Sequence, residues 1–234
     1  MQEMLHTVST RFDEDLALLR SSVLEMGGLI EAQITNVIAV YSSNDVSSIQ
    51  LIIDADKKIN VAEKRIDDEC AHLIAKRQPA ASDLRLIFGI TKIVTDLERI
   101  GDETKRVAKL IRRIEKEGQA HSINLRHILD ASHEMVLKAL DSFARMDAPL
   151  AFSILQTDSA IDAEFKAIVR QLITHMMEDP RTISVAIDTI WMARAIERIG
   201  DHAQNIAEQV VFIVEGRDIR HQKSELAERG ISQT

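Results

Sequence analysis

The string Glu98-Arg99-Ile100-Gly101-Asp102 occurs again in the same chain as Glu197-Arg198-Ile199-Gly200-Asp201. In each copy a Glu and an Asp stand four positions apart, so on an α-helix both carboxylates leave the same face one turn from each other. The pair forms a two-carboxylate claw. Anions held this close repel one another unless a cation sits among them or some of them protonate. Oxygen-only ligands favour Mg²⁺, Mn²⁺ or Ca²⁺, and iron and zinc also accept carboxylates. The chemistry predicted is therefore cation binding, done twice.

A claw needs a helix to carry it and a neighbouring helix to complete it. Apolar residues recur at three and four spacing through Phe12, Leu16, Leu19, Val23, Met26, Ile30, Ile34 and Val37, which predicts a long amphipathic helix ending near Ser43. A second helix is predicted from the Ser43-Asn44-Asp45 cap cluster to Gln78-Pro79, and a third from Ser82-Asp83 to Glu117-Gly118. The plan then repeats over about 124–145, 149–177 and 180–215, with Asp147 and Asp179 placed as N-caps and Pro180 at a first helical position. The expected architecture is all-α: two similar three-helix bundles in tandem, spanning 1–118 and 119–216, with a polar and flexible tail over 217–234.

Aligning the halves matches Glu98 with Glu197 and Asp102 with Asp201. It also sets Asp56-x-x-Ile59-Asn60 of the second helix against Asp158-x-x-Ile161-Asp162 of the fifth. Glu98 and Asp102 fall along one edge of the third helix's apolar stripe, where acids of an adjacent helix can join them. Those neighbours are Asp56 in the first half and Asp158, with Asp162 beside it, in the second. The competing reading makes Glu98 and Asp102 surface acids paired with Arg99, Lys105 or Arg106, an arrangement worth only ~0.5 kcal/mol. Duplication of the whole string favours the cation.

Composition limits the remaining choices. The chain has 234 residues, 45% of them hydrophobic and only 3% aromatic, with a net charge of -8, a balance that suits a helical bundle and repels nucleic acid. The lone cysteine, Cys70, forms no intramolecular disulfide and is expected as a small buried apolar residue in a reducing compartment. Acidic residues near the start oppose a signal peptide, and no apolar run is expected to reach bilayer length, which implies a soluble cytoplasmic protein. G-x-x-x-x-G-K-[ST], G-x-S-x-G and H-E-x-x-H are all missing. Glu69-x-x-His72 and Glu3-x-x-His6 read as surface residues rather than iron ligands, because Gln171 and Thr174 stand opposite Glu69 and His72 in the second half. The basic run Arg106, Lys109, Arg112, Arg113 and Lys116 reads as a solvated face, Gly27-Gly28 as close helix packing or a mild kink, and Trp191 as a core or interhelix anchor.

The twin strings resemble the signature of the PhoU family of phosphate-transport accessory proteins. So do Ala75-Lys76-Arg77-Gln78-Pro79 with Ser82-Asp83-Leu84-Arg85, Phe143-Ala144-Arg145-Met146-Asp147, Met26-Gly27-Gly28, and the stretch from Arg170-Gln171-Leu172 to Met176-Met177-Glu178-Asp179. The resemblance implies two three-helix bundles, commonly dimeric, with multinuclear metal held by Glu98, Asp102 and Asp56 in one half and by Glu197, Asp201 and Asp158 in the other. The metal is iron or zinc in some relatives and magnesium or manganese in others. The implied role is regulatory: when phosphate is plentiful, such proteins restrain the phosphate-starvation response by linking the phosphate ABC transporter, through its ATPase subunit, to its sensor histidine kinase. They reach the membrane only through those partners. Asn60 stands where Asp162 sits and Arg106 where Asn205 sits, and either change weakens the first site relative to the second. A metal-dependent enzyme and a purely structural bundle are the alternatives.

Overall fold

The structure, a computed structural model, describes residues 2–43, 45–77, 79–116 and 123–219, except for the side chains of 2–11, 77 and 156–159. Six long helices account for nearly all of it: α1 (Gln2–Ser43), α2 (Ile49–Arg77), α3 (Ala81–Lys116), α4 (Arg126–Arg145), α5 (Ala148–Glu178) and α6 (Ile183–Glu215). Helices α1 to α3 pack on one another as one bundle and α4 to α6 as a second. The expected end of α3 at Glu117-Gly118 and the tail beyond 219 lie outside the described residues.

Helix starts follow their caps. Asp147 accepts a hydrogen bond from the Leu150 amide, and Pro149 sits in the first turn of α5. Asp45 and Asp179 each cap a short 3-10 turn, Val46–Ser48 and Pro180–Thr182, which then leads into α2 and α6. This places the start of α6 three residues later than Pro180 suggested. Gly216 ends α6 in the left-handed conformation, with φ of 72°.

The bundles join through two antiparallel helix pairs. Along α1 and α4, the Arg20 guanidinium donates to the Ala144 carbonyl at 3.0 Å, and the Leu125 amide donates to the Tyr41 hydroxyl at 2.8 Å. Along α3 and α6, the most extensive packing in the molecule, Arg85 near the start of α3 donates to the Ile213 carbonyl near the end of α6. At the opposite end Arg113 lies 2.8 Å from buried Asp188. Part of the basic run thus pins the seam instead of merely facing water.

One apolar core runs through both halves. It includes Val23, Met26 and Ile30 of α1, Ile90, Leu97 and Ile100 of α3, and Ile196, Ile199 and Ile206 of α6. Cys70 is buried as expected, and burial pushes its thiol up to about 12, which leaves it protonated and unreactive. Two expectations fail. Trp191 is 56% exposed, on an α6 stripe with Ile183 and Ile187, and anchors nothing in the core. Residues Phe12–Ser43 are long and apolar enough, by length and composition, to cross a membrane, contrary to the sequence reading. In the bundle, however, Leu19, Val23, Met26, Ile30, Ile34 and Val37 from this stretch are buried against the other helices.

The adjacent glycines of α1 differ in what surrounds them. A Cβ on Gly27 falls 2.6 Å from Leu140 Cδ2 of α4, whereas one on Gly28 meets nothing within 4 Å. Gly89 is tighter still, since a Cβ there falls 2.4 Å from Ile213 Cγ1 across the α3–α6 seam. Gly89→Val is therefore expected to lower stability by about 2 kcal/mol through overpacking. Gly28→Ala is expected to raise it by up to about 1 kcal/mol through helix propensity alone. Urea unfolding of the two variants checks the contrast, and equal effects would refute the packing described for α3 and α6.

Candidate metal centre

Both claws lie on the helices that form the α3–α6 seam, each turned towards the second helix of its own bundle. A Cβ on Gly101 is 3.1 Å from Ile59 Cδ1, and one on Gly200 is 3.4 Å from Ile161 Cδ1. The repeated glycine lets α3 approach α2, and α6 approach α5, at the height of the claws. From that shared backbone plan the two halves depart in their side chains.

In the second half Asp162 of α5 meets Glu197 and Asp201 of α6. One oxygen from each carboxylate lies within 4.8 Å of the other two. At an effective dielectric near 20, each such pair repels by about 3 kcal/mol when ionised. Hard cations hold carboxylate oxygens at about 2.0–2.6 Å, which places two oxygens on a shared ion no more than ~5 Å apart. The trio has that spacing. Glu197 is 95% buried by its 5% exposure, and the Arg194 guanidinium reaches its Oε1 at 2.5 Å while lying over the Phe165 ring at 5.5 Å. Asp158 is carried by α5, but its side chain lies outside the described set.

In the first half Asp56 of α2 and Asp102 of α3 are brought together by Lys105, whose Nζ donates to Asp56 Oδ2 and to Asp102 Oδ1 at 2.6 Å each. Asp56 is buried, and its other oxygen, Oδ1, has no hydrogen-bond partner among the described residues. Glu98 has Arg99 Nε 3.6 Å from its Oε2. Arg106 lies 3.1 Å from Glu103.

The sequence named Lys105 only as a surface partner for the α3 acids; its reach to Asp56 of α2 depends on the helix–helix distance and is not visible in spacing. His202, next to Asp201, offers a nitrogen ligand by sequence position. In the structure its Nδ1 lies 2.8 Å from Asp96 Oδ1 across the seam, and Asn205 donates to the same oxygen at 3.1 Å. Arg194 stands three residues before Glu197, a helical ion-pair spacing through which the sequence does signal their contact.

Burial, with the nearby charges of Asp102 and Glu63, raises the Glu98 carboxyl above its ordinary value, and Arg99 offsets this only in part. The folded state holds that proton more tightly than the unfolded chain does. The contribution of Glu98 to stability is therefore full at low pH and is lost as pH rises from the ordinary value through the raised one. In protein freed of divalent cations, Glu98→Gln should raise the unfolding temperature at neutral pH, with the gain vanishing below about pH 4. A variant less stable than the parent at neutral pH would show that ionised Glu98 is stabilised by its surroundings.

The PhoU domain family matches this chain at residues 23–111 and again at 125–210. The phosphate-specific transport system accessory protein PhoU homolog of Pseudomonas putida is 46% identical over 94% of this chain and 87% of its own length. The accessory protein PhoU of Escherichia coli (strain K12) is 41% identical over 92% of this chain and 89% of its own. The crystal structure of PhoU from Pseudomonas aeruginosa has a TM-score of 0.85 at 47% identity, covering 88% of this chain and 100% of that one. The phosphate transport system regulatory protein PhoU from Streptococcus pneumoniae has a TM-score of 0.82 at 31% identity, covering 88% and 98%. With two tandem domain matches, relatives of this identity along most of its length and the same six-helix architecture, the chain belongs to the PhoU family.

Proposed function

We propose that this chain is a metal-binding regulatory adaptor of phosphate uptake with no catalytic step of its own. It restrains the phosphate-starvation response when phosphate is plentiful, by linking the ATPase subunit of a phosphate ABC transporter to a phosphate-sensing histidine kinase. Its working form is a cytoplasmic homodimer that meets the membrane through those partners. The names of its relatives, accessory and regulatory proteins of phosphate transport, support the role. An exposed apolar stripe on α6, formed by Ile183, Ile187 and Trp191, with Ile173 and Met177 exposed on α5, supports action by docking.

The observation that carries the metal reading is the meeting of Asp162, Glu197 and Asp201. These three carboxylates suit Mg²⁺ or Mn²⁺ by hardness and also accept iron or zinc. The ion would neutralise the mutual repulsion of the three acids and tie α5 to α6. Asp158 is the further α5 candidate. The corresponding first-half candidates, Asp56, Glu98 and Asp102, have Lys105 among them.

Metal bound only to the folded state stabilises it. At about 100 times its dissociation constant the ion adds ~2.7 kcal/mol, or about 5–10 °C for a domain of this size. Thermal unfolding with Mn²⁺ or Mg²⁺ should show that shift in the parent and lose most of it in Glu197→Gln/Asp201→Asn. Absence of any shift with Mn²⁺, Mg²⁺, Zn²⁺ or Fe²⁺ would remove metal from the mechanism. The regulatory role has a separate readout: cells lacking this chain should express phosphate-starvation genes in phosphate-rich medium. Normal repression in those cells would refute the adaptor reading whatever the metal result.

A further inference from the structure

We propose that the first claw carries its own cation: the Lys105 ammonium occupies the position between α2 and α3 that a metal ion would take, so the chain holds metal through the second claw only. This rests on the metal reading of the second claw, and concerns a departure from it in the first.

The two halves can be compared position by position. Asn60, Glu98, Asp102 and Lys105 correspond to Asp162, Glu197, Asp201 and Gln204. With ionised acids the first set carries one net negative charge and the second carries three. Counting Arg194, whose counterpart is the neutral Thr95, still leaves the second set with two. One carboxylate has become an amide and one neutral amide has become an ammonium. Both changes act against a dication in the same site.

Geometry separates Lys105 from Arg194. The Lys105 nitrogen makes two charge-assisted hydrogen bonds of 2.6 Å, one to each helix, and its side chain is only 21% exposed. One of its partners, Asp56, is buried, with Oδ1 unpartnered among the described residues. Any metal entering must therefore expel an ammonium from a buried carboxylate, and that ammonium is tethered one turn from Asp102. Arg194 is 47% exposed and pairs with Glu197 of its own helix, so it bridges no acid of α5 to one of α6 and can withdraw into water when an ion enters. The first half is bridged from within, while bridging of the second depends on the cation supply.

The test is Mn²⁺ content of the full chain, measured by mass spectrometry after removal of loose ions. The double variant Glu98→Gln/Asp102→Asn should keep the parent's Mn²⁺, and Glu197→Gln/Asp201→Asn should lose it. Adding Lys105→Gln to the second of these variants should restore Mn²⁺ binding, now at the first claw. Loss of part of the parent's Mn²⁺ in Glu98→Gln/Asp102→Asn would overturn the proposal while leaving the metal reading of the second claw intact. Failure of a folded Lys105→Gln protein to gain any Mn²⁺ would also overturn it. A parent without Mn²⁺ whose Lys105→Gln variant binds the ion would uphold the occupation of the first claw by Lys105 and refute metal at the second. The two double variants decide the matter without any change at Lys105, should that substitution prevent folding.

Discussion

Everything in this molecule is referred to the α3–α6 seam. It is the contact where a glycine, Gly89, allows close approach and where ion pairs fix the register. Glu103 of α3, buried, lies 3.0 Å from Arg198 of α6 and 3.1 Å from Arg106. Asp96 of α3 holds His202 and Asn205 of α6. Buried ion pairs add little net stability over apolar packing, but breaking one by removing a partner costs about 3–5 kcal/mol, so they select one alignment strongly. That alignment sets where both claws emerge, because Glu98, Asp102, Glu197 and Asp201 lie on the same two helices.

Duplicated backbones have here been given different electrostatics. A carboxylate cluster can be neutralised by a lysine already attached to the chain, which loses side-chain freedom but is always present at high effective concentration. It can also be neutralised by a free ion, which binds with mass action and leaves when the supply falls. The first solution makes a strut and the second a sensor of supply. On the reading proposed above, one half would stay fixed while the other follows the ion.

The helices were legible because their cause is local. A three-and-four apolar period, Asp147 before Pro149, and Gly216 after Glu215 each act within a few residues. The late start of α6 was less legible, because Pro180 suits the first turn of a 3-10 segment as well as that of an α-helix. In the claws, the duplicated Glu and Asp could be read from spacing, and so could the contrast of Asn60 with Asp162. What Lys105 touches could not, since it depends on how near α2 comes to α3. Hydrophobicity misled twice: Trp191 faces outward, and the apolar length of α1 serves burial on several sides within a double bundle.

The seam also tells the two halves apart. Position by position, Glu103 corresponds to His202, Arg99 to Arg198 and Asp96 to Ala195. Two first halves facing each other in this alignment would set Asp96 against Glu103, acid against acid. Two second halves would set Arg198 against His202. A first half against a second half sets Asp96 on His202 and Asn205, and Glu103 on Arg198, without either clash. The two halves are thus unlike at this contact, and each face is completed by the other's residues instead of by a copy of its own.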